Sequence, residues 1–159
     1  MIQATRETAF TAYIETKANQ IDANTPSTRI RHLVKFINDL DEAVFYAYPL
    51  LENINNRYTS MPFVYNVSPD MYEGQLNLIP AGYFKYEVYE VSWIGSVSVA
   101  EDTAPDTETD VLPVEDENGV VEGLVAIGIL YLAEKAGSEE VKYTEYEAPK
   151  TTNTIYYGQ

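Results

Sequence analysis

One histidine, no cysteine and 25 carboxylates are the material from which this chain of 159 residues could build chemistry. Without cysteine there is no disulfide framework, thiol nucleophile, thiolate zinc site or iron–sulfur cluster. A single histidine excludes paired-histidine catalysis and histidine-rich metal sites. His32 falls between Ile30 and Val34 on the apolar side of an alternating run, residues 29–38, and there it reads as a satisfied core side chain. A serine triad would need a poised serine, and the chain has no Gly-x-Ser-x-Gly elbow.

The carboxylates fare no better as catalysts. Glycoside hydrolysis needs two of them about 5–9 Å apart across a cleft. Glu87 and Glu90 are three residues apart in a strand-like run, so they point to opposite faces. Glu145 and Glu147 share a face, as do Lys85 and Glu87, and these read as a solvated sheet face whose charges pair with neighbouring strands. The run Glu115-Asp116-Glu117-Asn118-Gly119 suggests a calcium loop, but with Gly119 in sixth place the two end ligands would be Val114 and Val125, which offer no side-chain oxygen. Asp102, Asp106, Glu108 and Asp110 could form only an irregular cation site. Residues 119–128 begin and end in glycine but have neither the lysine nor the strand–helix context of a phosphate loop. No enzyme activity, cofactor or resident metal is expected.

Ten basic against 25 acidic residues give a net charge of −15, which disfavours nucleic acid and anionic membrane as partners. The longest apolar run, residues 123–133, is about half the roughly 20 residues a membrane helix needs. The first six residues lack the charged-then-apolar layout of a signal peptide. The charge is uneven. Residues 101–122 hold nine acids and no base, whereas the first 38 residues hold five bases and three acids. A basic segment on an acidic body suits contact between subunits.

The elements that must position these residues read as β throughout. Residues 1–28 show no sustained period and end in the turn cluster Asn24-Thr25-Pro26-Ser27, so they are expected to form an extended N-terminal arm. Strands are expected at 29–38, 43–49, 57–67 and 75–79, the third at a sheet edge because Pro62 lies within it. Residues 83–94 are the strongest strand, and each of their faces changes character midway, as at a bulge. Residues 101–122 form an acidic loop in which Asn118-Gly119, between valine-rich runs, predicts a tight hairpin. Residues 123–133 are almost wholly apolar and should be the most buried strand. Residues 141–147 alternate, and 154–157 suggest a last short strand. Short strands and frequent turns indicate an all-β, immunoglobulin-like antiparallel sandwich over 29–159, with the arm at 1–28. The 14 tyrosines combine an apolar ring with a polar tip, which suits partly covered surfaces.

Four stretches carry a family resemblance: G-Y-F-K-Y-E-V-Y-E-V-S-W-I-G at 82–95, I-R-H-L-V-K-F-I-N-D-L-D-E-A-V-F-Y-A-Y-P at 30–49, E-G-L-V-A-I-G-I-L-Y-L-A-E at 122–134 and V-K-Y-T-E-Y-E-A-P-K-T-T-N-T-I-Y-Y-G at 141–158. Together they resemble the sandwich-type structural proteins of tailed bacteriophage virions, including those of crAss-like and related phages. The resemblance implies a non-enzymatic virion component in many copies, bound to the major capsid protein or to neck and tail proteins. An auxiliary, capsid-decorating role is the expectation, with a neck or tail role as the alternative. No catalytic residues carry over. A carbohydrate-binding adhesion module is the rival, and it would require Trp93, Tyr89 or Tyr83 on one open face. The expected interface residues are Arg6, Lys17, Arg29 and Arg31 of the arm, with Tyr156 and Tyr157. On this reading, deleting residues 1–24 leaves a folded protein that cannot assemble.

Overall fold

The computed structural model describes residues 1–137. Nine strands form two facing sheets: β1 Ile2–Thr5, β2 Phe10–Ile14, β3 Ile30–Asn38, β4 Val44–Ala47, β5 Asn53–Ile54, β6 Thr59–Tyr65, β7 Gln75–Leu76, β8 Gly82–Ser92 and β9 Val120–Ala133. The helical content is three short 3-10 turns, Lys17–Asn19, Ser27–Arg29 and Met71–Glu73. The larger sheet runs β1-β9-β8-β3-β4 and the smaller β2-β6-β5, with β7 beside the far end of β6. The fold is therefore all-β and sandwich-like. Pairing is antiparallel except for β1 with β9 and β6 with β7.

The alternation in β3 puts Ile30, His32, Val34, Phe36 and Asn38 on the buried inner face, as its spacing predicts. Val34, Phe36, Phe84, Val88, Leu130 and Leu132 of the larger sheet meet Ala12, Ile14, Met61 and Phe63 of the smaller one. Phe10, Phe36 and Phe63 join the layers, with ring centroids 5.4–6.5 Å apart. Each such ring contributes about 1.5–3 kcal/mol by leaving water. β8 changes face where expected, through register shifts between Val88 and Tyr89 and between Glu90 and Val91.

Four expectations are corrected. The first 14 residues are not an arm. Ile2–Thr5 lies parallel to residues 130–133 in the larger sheet, and Phe10–Ile14 pairs with residues 59–63 in the smaller. Ala4, Ala12 and Ile14 are buried there. The strands are four and five residues long, too short to display a period alone, and tertiary packing supplies the rest.

Second, β6 is central in its sheet despite Pro62. β5 pairs only with Thr59 and Ser60. At Pro62 that side of the ladder has already ended, and the Leu50 N–H donates to the proline carbonyl at 2.9 Å.

Third, Asn118-Gly119 does not join two strands. Val111 and Val114 are exposed and outside any strand, and Asn118 Nδ2 instead donates to the Pro113 carbonyl at 2.9 Å. Gly119 is required by a close approach: a Cβ there would lie 2.7 Å from the Trp93 ring.

Fourth, β9 is not the most buried strand. Its inner residues Leu130 and Leu132 are enclosed, but Leu124, Ile127, Ile129 and Tyr131 face outward and exposed.

Candidate functional site

The outer face of the larger sheet carries the features that could bind something, and it is divided in two. At one end Leu33, Val91 and Trp93 form a second apolar cluster with Tyr48 and Ala104. Leu33 and Val34 are adjacent in a strand, so their separate clusters mark the two faces of the sheet. The segment between β8 and β9, residues 93–119, folds over this cluster as a lid. The Tyr48 hydroxyl fastens it to the body by donating to the Pro105 carbonyl at 2.6 Å, and the segment is braced internally by the Gly119 N–H on the Thr103 carbonyl at 2.7 Å and the Gly95 N–H on the Asp116 carbonyl at 3.1 Å.

Glu108 is the lid's electrostatic pin. The Lys35 ammonium and the Tyr46 hydroxyl both donate to its carboxylate. Burial alone would raise the Glu108 pKa, but these two donors hold it below the usual carboxylate range. Beside it, Glu87 accepts from Lys85 at 2.7 Å and from the Tyr89 hydroxyl at 2.6 Å, which likewise lowers its pKa. Burial and then the Glu87 bond push the Tyr89 phenol up, and burial and then Glu108 do the same to Tyr46. Most other acids of the lid, including Glu101, Asp102, Asp106, Glu115, Asp116 and Glu117, are exposed. Asp110 accepts from the Asp106 N–H at 3.2 Å. Among the described residues no three His, Asp or Glu side chains are grouped to hold a metal ion.

The other end of the face has no lid among the described residues. Leu124, Ile127, Ile129 and Tyr131 stand along β9, and Tyr83 packs against Tyr131 with ring centroids 5.0 Å apart. Ile127, at 62% exposure, is the most open of the four on β9. Inward from the same strand, Gly128 lies against the Tyr86 hydroxyl, where any Cβ would overlap it, so a glycine on β9 accommodates this core ring.

The ionisable groups of the inner face are structural. His32 is buried; its Nδ1 meets the enclosed Glu52 carboxylate, which also accepts the His32 backbone N–H at 3.0 Å. Glu90, opposite His32 in the ladder and 1% exposed, accepts the N–H groups of Ile21 and Asp22 at 3.1 and 3.3 Å. Both carboxylates satisfy backbone donors, and Glu90 ties Ile21 and Asp22 to the sheet. Glu87 and Glu90 do lie on opposite faces.

The four basic residues singled out in the sequence do not form one patch. Arg6 sits at the β1 corner, 3.3 Å from Glu134. Lys17 donates to Gln20 at 2.8 Å and to Ser27 at 3.1 Å. Arg29 is exposed, and its carbonyl accepts the Trp93 N–H. Arg31 lies on β3 with its guanidinium on the Ile30 carbonyl at 2.6 Å. Arg6 adjoins the Ala133 end of β9, whereas Arg31 lies opposite Val91, which pairs with Val121. Some ten strand residues, roughly 30 Å, separate them. Tyr156 and Tyr157 lie outside the described residues. Of the aromatics that could form an open carbohydrate platform, Trp93 is buried under the lid, Tyr89 is half-buried, and Tyr83 is exposed.

The bare apolar row escaped the sequence reading because a strand buried on both faces and a strand apolar on both faces are identical as strings of residues. Among the described residues no helix is long and apolar enough to cross a membrane. Comparison with family models, with characterised proteins and with solved structures gives no match.

Proposed function

We propose that this chain is a non-enzymatic structural protein of a tailed-phage virion, an auxiliary component that decorates the capsid through protein–protein contacts. The observation that supports the reading is the apolar row on β9 with Tyr83, exposed in a chain of net charge −15. A contiguous exposed apolar patch on an otherwise polar surface marks an interaction site. The partner surface it fits is apolar and flat, because the row lies along one sheet face. The acidic lid beside it disfavours approach by an acidic partner and steers that surface into register. The two-sheet arrangement is read, at the finer level, as an immunoglobulin-like sandwich. The family resemblance carried by residues 82–95 and 122–134 supplies the virion setting.

Quantitative mass spectrometry of purified particles tests this. On the order of hundreds of copies per particle, in fixed ratio to the major capsid subunit, is the expected result for a symmetric shell. A copy number matching a single ring would move the protein to the neck or tail. Its absence from particles would overturn the proposal.

A further inference from the structure

The lid ends in the one Asn-Gly pair of the chain. Packing calls for each residue. Gly119 is forced by the Trp93 ring, which a Cβ would meet at 2.7 Å. Asn118 braces the loop, its Nδ2 donating to the Pro113 carbonyl at 2.9 Å and its N–H to the Glu115 carbonyl at 3.1 Å. Both residues are buried. The pair is also reactive by its chemistry. An asparagine amide carbon can close a five-membered ring with the next backbone nitrogen, and glycine, having no Cβ, puts the least bulk in the way.

The closed lid restrains both reacting groups. The Gly119 N–H is donated to the Thr103 carbonyl at 2.7 Å, and the Asn118 amide is turned to Pro113. Ring closure needs the Gly119 nitrogen free of its proton and the Asn118 side chain rotated onto it, so both buried hydrogen bonds must break first. They break together when the lid opens. Its ties to the body include Tyr48 on Pro105 and Lys35 and Tyr46 on Glu108, and a loop held in this way opens without global unfolding.

We propose that Asn118-Gly119 is a latent self-modification site that turns an opening of the lid into a permanent change. In the open lid the Gly119 nitrogen gives its proton to hydroxide and attacks Asn118 Cγ. The N–Cγ bond forms, the Cγ–Nδ2 bond breaks, and the Nδ2 group leaves as ammonia with a proton from water. A second water then adds to one carbonyl of the cyclic imide and splits its bond to the Gly119 nitrogen. Splitting at Cγ leaves an aspartate at position 118. Splitting at the backbone carbonyl leaves an isoaspartate, with the main chain routed through the side-chain methylene. In sum, one amide and one water become one carboxylate and one ammonium ion, with no oxidation or reduction. Neither product suits the closed lid. The donor to Pro113 is lost, and a carboxylate stands in its place at a buried position that follows Glu115, Asp116 and Glu117. Isoaspartate also lengthens the backbone where Gly119 already touches Trp93. The lid then stays loose over Leu33, Val91 and Trp93.

Incubation of the full-length protein at mildly alkaline pH, sampled by intact mass and by peptide mapping of position 118, tests this. The folded wild type should be modified at least about tenfold more slowly than the same chain in concentrated urea, because the site reacts only from an open state. Tyr48→Phe/Glu108→Ala, which unfastens the lid and keeps the buried ring, should react severalfold faster than the wild type while the amides of β3 and β8 stay protected. Modified molecules, separated by their extra negative charge, should exchange the amides of residues 93–119 at least about tenfold faster than unmodified ones. Equal rates in the folded and the unfolded wild type would overturn the proposal, whatever the fate of the variant. Modified molecules whose lid amides stay as protected as before would also overturn it, by showing that the change does not hold the lid open.

Discussion

The two ends of one sheet face solve the same problem in opposite ways. Around Leu33, Val91 and Trp93 the outer surface of the larger sheet is apolar, and residues 93–119 cover it. Around Ile127, Ile129 and Tyr131 it is also apolar, and no described segment folds over it. The lid end has a polar perimeter, Lys35, Tyr46 and Tyr48, that fastens a loop to the sheet. Among the described residues the β9 end has no comparable perimeter; its outward neighbours on β8 are Lys85 and Glu87, already paired with each other at 2.7 Å. A covered apolar surface stabilises the monomer that covers it. A bare one stabilises only a complex. On the proposed function, the difference separates residues that matter for folding from residues that matter for assembly.

The comparison can be broken most severely by removing what both ends stand on. Deleting residues 1–14 takes β1 from the larger sheet and β2 from the smaller, exposing Met61, Phe63 and Leu130. Loss of cooperative unfolding in urea is expected, in place of the folded, assembly-defective product that an arm would give. Next is Trp93→Ala, which empties the centre of the lid cluster. A loss of about 3–5 kcal/mol is expected from chemical denaturation, since a large buried ring leaves a cavity that its neighbours do not fill.

The pin at Glu108 should matter less and depend on pH. The Glu87 and Glu108 pKa values are lowered in the folded protein, so both groups add stability above the ordinary carboxylate range and lose it as pH falls through their folded values. Acidification from neutral pH to below 4.5, the ordinary value for both groups, should therefore weaken the lid. Glu108→Gln should flatten that dependence, with faster amide exchange confined to residues 93–119 as the readout. The smallest effect on stability is expected at the bare end. Ile127→Ser should change unfolding free energy by less than about 0.5 kcal/mol, because an exposed side chain gives up little on folding.

Alternation made much of the fold legible. The inward set of β3, the bulged character of β8 and the all-β class follow from residues 30–38 and 82–92. His32 was legible as a core residue because its neighbours at two-residue spacing are apolar. The roles of residues 2–5 and 10–14 were not, since strands of four and five residues are specified by the partners they find. The lid was half legible: nine acids and two prolines marked residues 101–122 as a loop, but nothing in the string tied Glu108 to Lys35, 73 residues away. The exposed row stayed hidden because the apolar run 123–133 reads the same whether its outer face is covered or open.

On the proposed function, the β9 end of the face, not the lid end, docks the protein in its assembly. The most direct measurement is competitive incorporation into particles of wild-type protein, Ile127→Lys/Ile129→Lys, and the lid variant Glu101→Lys/Asp102→Lys, each first shown to unfold at the same denaturant midpoint. The account predicts that the β9 variant is lost from particles while the lid variant enters at the wild-type level. Equal incorporation of the β9 variant and the wild type would contradict it.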